Sequence, residues 1–137
     1  MKSNELMIGD WVKVIHLNKI GRVYRVDAAN GHGNEYAALL DGDFDCKDLE
    51  PIPLTPEILE KNGMNPFDID KLTEKATAKW WHKGGDFFIK QYHFKHNGFN
   101  PSYSFGCHNH TLIEGIEYVH ELQHALKLCK IEKEIVV

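Results

Sequence analysis

Trp11–Ala28 reads WVKVIHLNKIGRVYRVDA, and its two halves decide the fold class. Trp11–His16 alternates and is rich in β-branched residues, the pattern of a half-buried strand. Gly21–Ala28 repeats that pattern, with Val23 and Val26 among its apolar positions. Asn30-Gly31-His32-Gly33-Asn34 is a turn cluster. Glu35–Leu40, EYAALL, predicts a third strand, closed by Asp41-Gly42-Asp43, and a short strand fits Phe44–Cys46. Short strands at close spacing, joined by glycine turns, point to a small antiparallel barrel.

The opening IGDWVKV…GRVYRV is similar to the entry strands of SH3-like barrels. The resemblance covers about the first 50 residues and implies an N-terminal SH3-like barrel subdomain over residues 1–54.

PIPLTPEILEKNG, Pro51–Gly63, is the clearest punctuation in the chain. Pro51 and Pro53 hold an extended segment. Thr55 suits an N-cap and Pro56 a first helical residue. Glu57 complements the positive end of the helix dipole. Ile58 and Leu59 supply an apolar side, and Gly63 a left-handed stop. These residues predict a helix over Pro56–Asn62. Asn65-Pro66 repeats the start signal, for a turn of helix through Leu72, so residues 55–75 read as a linking helical segment.

Residues 76–137 read as an antiparallel sheet with one C-terminal helix. ATAKWWHK (Ala76–Lys83) and FFIKQYHF (Phe87–Phe94) flank Gly84-Gly85-Asp86 and predict a hairpin. KHNGFNP is a loop, and Ser102–Asn109 alternates as a further strand. Nine of the fifteen aromatic residues fall between Trp80 and Phe105, so they either cover the packed face of this sheet or form a ligand-stacking surface. Gly115 disfavours one helix through the last stretch. An extended piece fits Ile116–Tyr118, a helix runs from about Val119 to Cys129, and the tail IEKEIVV alternates like a last strand. The fold class expected is α+β.

The apolar fraction of 42% suits a folded globule. No apolar run approaches the roughly 18–20 residues of a bilayer span, and MKSNELMIGDWVKV lacks the apolar core of a secretory signal. A cytoplasmic location and no membrane partner are expected. Cys46, Cys107 and Cys129 are too few and too scattered for a disulfide framework, so reduced thiols are expected, with Cys129 a small core residue. The net charge of −4 argues against a duplex DNA binder. Residues 1–70 hold seven Lys/Arg against thirteen Asp/Glu, net −6, and residues 71–137 hold nine against seven, net +2.

Tyr118–His124, YVHELQH, contains the zinc-peptidase pattern H-E-x-x-H. His120 and His124, one helical turn apart, would share a zinc, and Glu121 would take a proton from the bound water. Three features oppose that chemistry. A catalytic zinc needs a third protein ligand. Lys127 and Lys130 occupy the glycine and histidine positions of the extended motif, which leaves Cys107, His108 and His110 upstream as candidates. On a helical wheel Val119, Leu122, Leu126 and Cys129 form the apolar stripe, so the two histidines fall nearly opposite, toward solvent or a shallow groove. A peptidase also needs an oxyanion donor and a substrate groove, for which little chain remains beside the barrel. A non-catalytic alternative pairs Cys107-x-x-His110 with His120-x-x-x-His124, although nine residues between the pairs is short for a zinc finger. Asp41, Asp43 and Asp45 lack the later glycine and glutamate of a calcium loop and read as a solvated acidic turn.

NELMIGDWVKV, KDLEPIPLTPEILEKNGM and IEYVHELQHALKLCKIEKEIVV together resemble a family of small uncharacterised proteins encoded by phages and mobile elements of gut anaerobes. The resemblance runs nearly end to end. It implies a small α+β protein with no activity to carry over. It also implies that glutamine is common at the position of Glu121 and asparagine at that of His124, which would make H-E-x-x-H an accident of two substitutions. Leu122 would then anchor the core and Gln123 would be a structural hydrogen-bonder. At Lys130 this chain departs from a usual helix-stopping glycine. The expected function is therefore a non-enzymatic accessory or protein-binding module without cofactor. The competing classes are a zinc-dependent hydrolase and a single-stranded nucleic-acid-binding module.

Overall fold

The computed structural model describes residues 1–27, 35–67, 78–82, 87–92, 102–107 and 110–137. The chain is α+β, with antiparallel strands in three small sheets and a helix near the C-terminus. It divides into two compact units, residues 1–53 with 118–124, and residues 54–117 with 125–137.

In the first unit β1 (Trp11–Val14) pairs with β2 (Lys19–Arg22), and β3 (Arg25–Asp27), β4 (Tyr36–Leu39) and β5 (Gly42–Asp45) form a second sheet. β6 (Leu49–Pro51) lies on the other side of β1, giving the order β2-β1-β6. The expected strand over Gly21–Ala28 is thus two strands. Val23 and Tyr24 break it, because the Val23 N–H turns to Asp10 O and the Tyr24 N–H to Ala38 O. β4 and β5 join through Leu40 and Asp41 alone, in the register Leu39↔Gly42. Two three-stranded sheets are present here, and among the described residues they do not close into a barrel. Val12, Val14, Val23, Ala37, Leu39, Cys46 and Leu49 make the buried cluster, with Leu6 at its edge. Burial, then Glu35 and Asp45, push the Cys46 thiol up. The Asn30–Asn34 turn lies outside the described residues.

The second unit opens with α1 (Pro56–Lys61). Thr55 Oγ1 accepts the Ile58 N–H at 3.4 Å, as an N-cap should. At the other end Gly63 has φ 73°, and the bonds Gly63 N–H to Glu60 O and Met64 N–H to Leu59 O close a Schellman motif. Asn65–Phe67 is a strand, β7, rather than a new turn of helix. It is the edge of its sheet, where Pro66 is tolerated. β7, β8 (Ala78–His82), β9 (Phe87–Tyr92), β10 (Ser102–Cys107) and β11 (His110–Ile116) form one antiparallel sheet in the order β11-β10-β9-β8-β7. The β8–β9 hairpin follows the sequence expectation, while its turn, the loop after it and His108 lie outside the described residues. Phe87, Ile89, Tyr103 and Phe105 are buried in this unit, consistent with the packing role of the aromatic residues. A side chain at Gly106 would run into the His110 carbonyl and the Phe88 ring, so β10 needs glycine there.

α2 (Val119–Leu128) follows β11 after Glu117 and Tyr118. The tail after it forms no strand. The end of α1 holds it instead. Asn62 Nδ2 donates to Val136 O at 2.7 Å, and Asn62 Oδ1 accepts the Val136 N–H at 2.9 Å. Ile135 is fully buried beside that clamp. Side-chain bonds here replace the ladder that the alternating pattern suggested. Cys129 is half-buried rather than a core residue, because the helix ends just before it. Among the described residues no helix is long and apolar enough to cross a membrane.

Candidate functional site

The residues of H-E-x-x-H sit on the first turns of α2, within the first unit. What faces them is the turn Met7–Asp10, just before β1. Gly9 has φ 97°, in the region that glycine tolerates best. Its N–H donates to Val23 O at 2.6 Å. Asp10 is fully buried, and its Oδ2 accepts the Met7 N–H at 2.7 Å.

His124 Nε2 meets the same Oδ2 of Asp10 at 2.8 Å. A carboxylate only accepts, so Nε2 carries the proton and donates it. Gln123 makes two bonds at once. Its Nε2 donates to Gly9 O at 3.0 Å, and its Oε1 accepts the Trp11 N–H at 3.2 Å. The carboxamide thereby spans Asp10 in the manner of a strand partner. Glu121, third in the helix, turns back so that Oε2 accepts the Tyr118 N–H at 3.1 Å, half of a capping box.

His120 is only 7% exposed. Its ring stacks on Tyr118 at 5.9 Å and meets His124 edge-on at 5.6 Å. Burial pulls its pKa below the ordinary imidazole range and His124 pulls the same way, against Asp10, Glu121 and Glu5. Its Nδ1 and Asp10 Oδ1 are buried and have no hydrogen-bond partner among the described residues.

The helical wheel therefore misjudges the exposure of His120, which is buried, whereas His124 keeps 19% of its side chain exposed. Val119, Leu122, Ala125 and Leu126 form the apolar side, with Leu122 fully buried. His120, Gln123 and His124 form the other, made tolerable by the carboxylate and backbone groups of residues 9–11. Asp10 gives the weakest sequence signal of this cluster, since an aspartate after glycine reads as an ordinary turn.

Cys107 and His110 are cross-strand partners on β10 and β11, in the second unit, whereas His120 and His124 belong to the first. Among the described residues no three His, Cys, Asp or Glu side chains converge on a point that could hold a metal ion.

The first unit also carries a groove of about 250 Å³. It is lined by Lys19, Ile20, Gly21 and Arg22 of β2, by Trp11 and Val14 of β1 with Leu17 after it, and by Leu39, Leu40, Asp41 and Phe44 around the β4–β5 turn. Its volume is below the roughly 300–1,000 Å³ of small-molecule sites. Leu17, Ile20 and Leu40 are exposed beside it, Leu40 to 90%. Arg22 Nε donates to Gly9 O at 3.1 Å, so the groove and the helix-bearing turn share one carbonyl.

No family model matches this chain, and no curated protein or solved structure matches it.

Proposed function

We propose that this chain is a non-enzymatic protein-binding module, with its first unit in an SH3-like arrangement. The supporting observation is the groove, where Leu17 and Leu40 at the tips of two hairpins and Ile20 on β2 expose apolar surface. Large apolar side chains gathered at a concave surface mark a place for another chain. The sequence resemblance adds an accessory role in a phage or mobile element.

The competing zinc hydrolase requires Glu121, whose Oε2 caps the helix through the Tyr118 N–H, to turn toward a metal-bound water. His124, with Nε2 on Asp10, would have to ligate through Nδ1. A single-stranded nucleic-acid module would stack bases on exposed aromatic rings along a basic track, and residues 71–137, at net +2, carry only a slight basic excess for one.

Site-directed photocrosslinking tests the proposal. A photoreactive residue replaces Leu40 in the first unit, or Leu112 or Leu128 in the second, all exposed. Crosslinking in producing cells, followed by mass spectrometry, should give a discrete protein adduct from at least one position. No protein adduct from any position would overturn the proposal. So would peptide hydrolysis by the purified chain with zinc that Glu121→Gln abolishes.

A further inference from the structure

We propose that the groove beside β2 accepts an extended segment of a partner protein as an added strand, with acidic and apolar side chains alternating along it. This rests on the binding-module proposal and gives it an occupant.

All four residues of β2 line the groove. Successive strand residues point to opposite faces, so a groove that touches Lys19, Ile20, Gly21 and Arg22 reaches the edge of the strand, and its contact with Trp11 and Val14 carries it on over β1. β2 is the outer strand of its sheet, and among the described residues the outer edge of Lys19–Gly21 meets no other strand. Such an edge offers N–H and C=O groups to an incoming chain. Strand addition uses those groups for affinity and pockets for alternate side chains for selectivity.

The pocket walls say which side chains. Leu39, Leu40 and Phe44 give an apolar wall, and a volume of about 250 Å³ suits large side chains taken singly rather than a cofactor. The charged lining is Lys19, Arg22 and Asp41, net +1. The whole first unit holds six Lys/Arg against ten Asp/Glu, net −4. The groove is thus locally positive on an acidic body, which favours a carboxylate-bearing segment and repels a lysine-bearing one. Lys19 Nζ stands 3.7 Å from Asp41 Oδ2, both side chains well exposed, so a partner carboxylate can compete for that lysine.

The test uses the full chain and three fluorescein-labelled octapeptides, followed by fluorescence anisotropy. The first has leucine at alternate positions, two glutamates and serine elsewhere. The second replaces glutamate with lysine. The third is the glutamate peptide N-methylated at alternate amides. The glutamate peptide should bind saturably, and the other two at least tenfold more weakly. Lys19→Glu and Leu40→Ser, both at exposed positions, should each weaken the glutamate peptide at least tenfold while leaving the circular dichroism spectrum unchanged.

No saturable binding of the glutamate peptide would overturn the proposal, as would equal binding of the N-methylated or lysine peptide. So would sedimentation of the chain as a dimer that Lys19→Glu dissociates, since a second copy would then fill the groove. Crosslinks from Leu112 or Leu128 with none from Leu40 would leave the module standing and remove this site from it.

Discussion

One oxygen of Asp10 binds both the turn that carries it and the helix that covers it. Oδ2 accepts the Met7 N–H at 2.7 Å and faces His124 Nε2 at 2.8 Å, across 114 positions of sequence. Gln123 repeats the link on either side of Asp10, through Gly9 O and the Trp11 N–H. The polar face of α2 is therefore a fastening of the first unit.

Removing that fastening should be costly. A buried hydrogen bond to a charged group contributes about 1.5–3 kcal/mol, and an orphaned buried partner adds about 1–3 kcal/mol. Asp10→Ala should therefore lose at least ~2 kcal/mol in urea unfolding, and Asp10→Asn, which keeps an acceptor, clearly less. Gln123→Ala should also lose ~2 kcal/mol. Unfolding midpoints for Asp10→Ala and Gln123→Ala equal to the parent would mean the cluster holds nothing.

His120 makes stability depend on pH in a definite direction. Burial, the leading cause, lowers its folded pKa, so the unfolded chain binds the proton more readily. Its neutral form is favourable to folding above the ordinary imidazole pKa of about 6.5, and that contribution is lost as pH falls through the folded value. Asp10, Glu5 and Glu121 oppose the shift and His124 reinforces it. The melting temperature should fall on acidification below about pH 6.5, and His120→Gln should flatten that slope. An unchanged slope in the variant would assign the acid sensitivity to other groups.

Glu121 separates a cap from a catalytic base. As a cap it needs only an oxygen for the Tyr118 N–H, which glutamine also supplies. Glu121→Gln should stay within ~0.5 kcal/mol of the parent, and Glu121→Ala should lose ~1 kcal/mol, the usual cost of a missing cap. Thermal unfolding with and without zinc reads both. A zinc-dependent rise in melting temperature that disappears in a His120→Ala, His124→Ala double variant would favour the metal site.

Much of the fold is legible in the sequence where signals are local. Thr55, Pro56 and Gly63 mark α1 because capping and chain reversal depend on neighbours within four residues. The β8–β9 hairpin is legible for the same reason. The candidate site is not. Its motif names His120, Glu121 and His124, but the carboxylate that holds His124 lies in a turn 114 positions away, and no periodicity reports that turn. The wheel fails because it equates polar with exposed, whereas hydrogen bonds from residues 9–11 make a polar face fit for burial. β11 escapes notice because His110–Ile116 is mostly exposed and carries a positive-φ Gly115, so it lacks an alternating apolar signal. Gln123 as a hydrogen-bonder and Leu122 as a core anchor are expected from the family resemblance, and their environments agree.

Tyr103 is a buried phenol whose hydroxyl has no partner among the described residues. Burial, followed by the nearby Glu57, pushes its pKa up to about 12. An unpaired buried hydroxyl costs about 1–3 kcal/mol relative to water. Tyr103→Phe keeps the ring and discards the hydroxyl, so it should raise the unfolding free energy by ~1 kcal/mol. A loss of stability instead would show that the hydroxyl is bonded in solution.

The two helix ends allow a controlled comparison. α1 closes its Schellman motif on Gly63, whereas α2 closes the same motif on Lys130, with the Lys130 N–H on Lys127 O and the Ile131 N–H on Leu126 O. Lys130 accordingly has φ 55°, a left-handed conformation that a side chain disfavours. Glycine relieves that cost but adds freedom to the unfolded chain, which removes part of the gain. Lys130→Gly should therefore stabilise the protein by ~0.5–1 kcal/mol, and Lys130→Val, β-branched at a left-handed position, should destabilise it. Chemical denaturation of the two variants beside the parent checks the order Gly, Lys, Val. If Lys130→Gly lowers stability, the helix does not end in the left-handed turn at that residue.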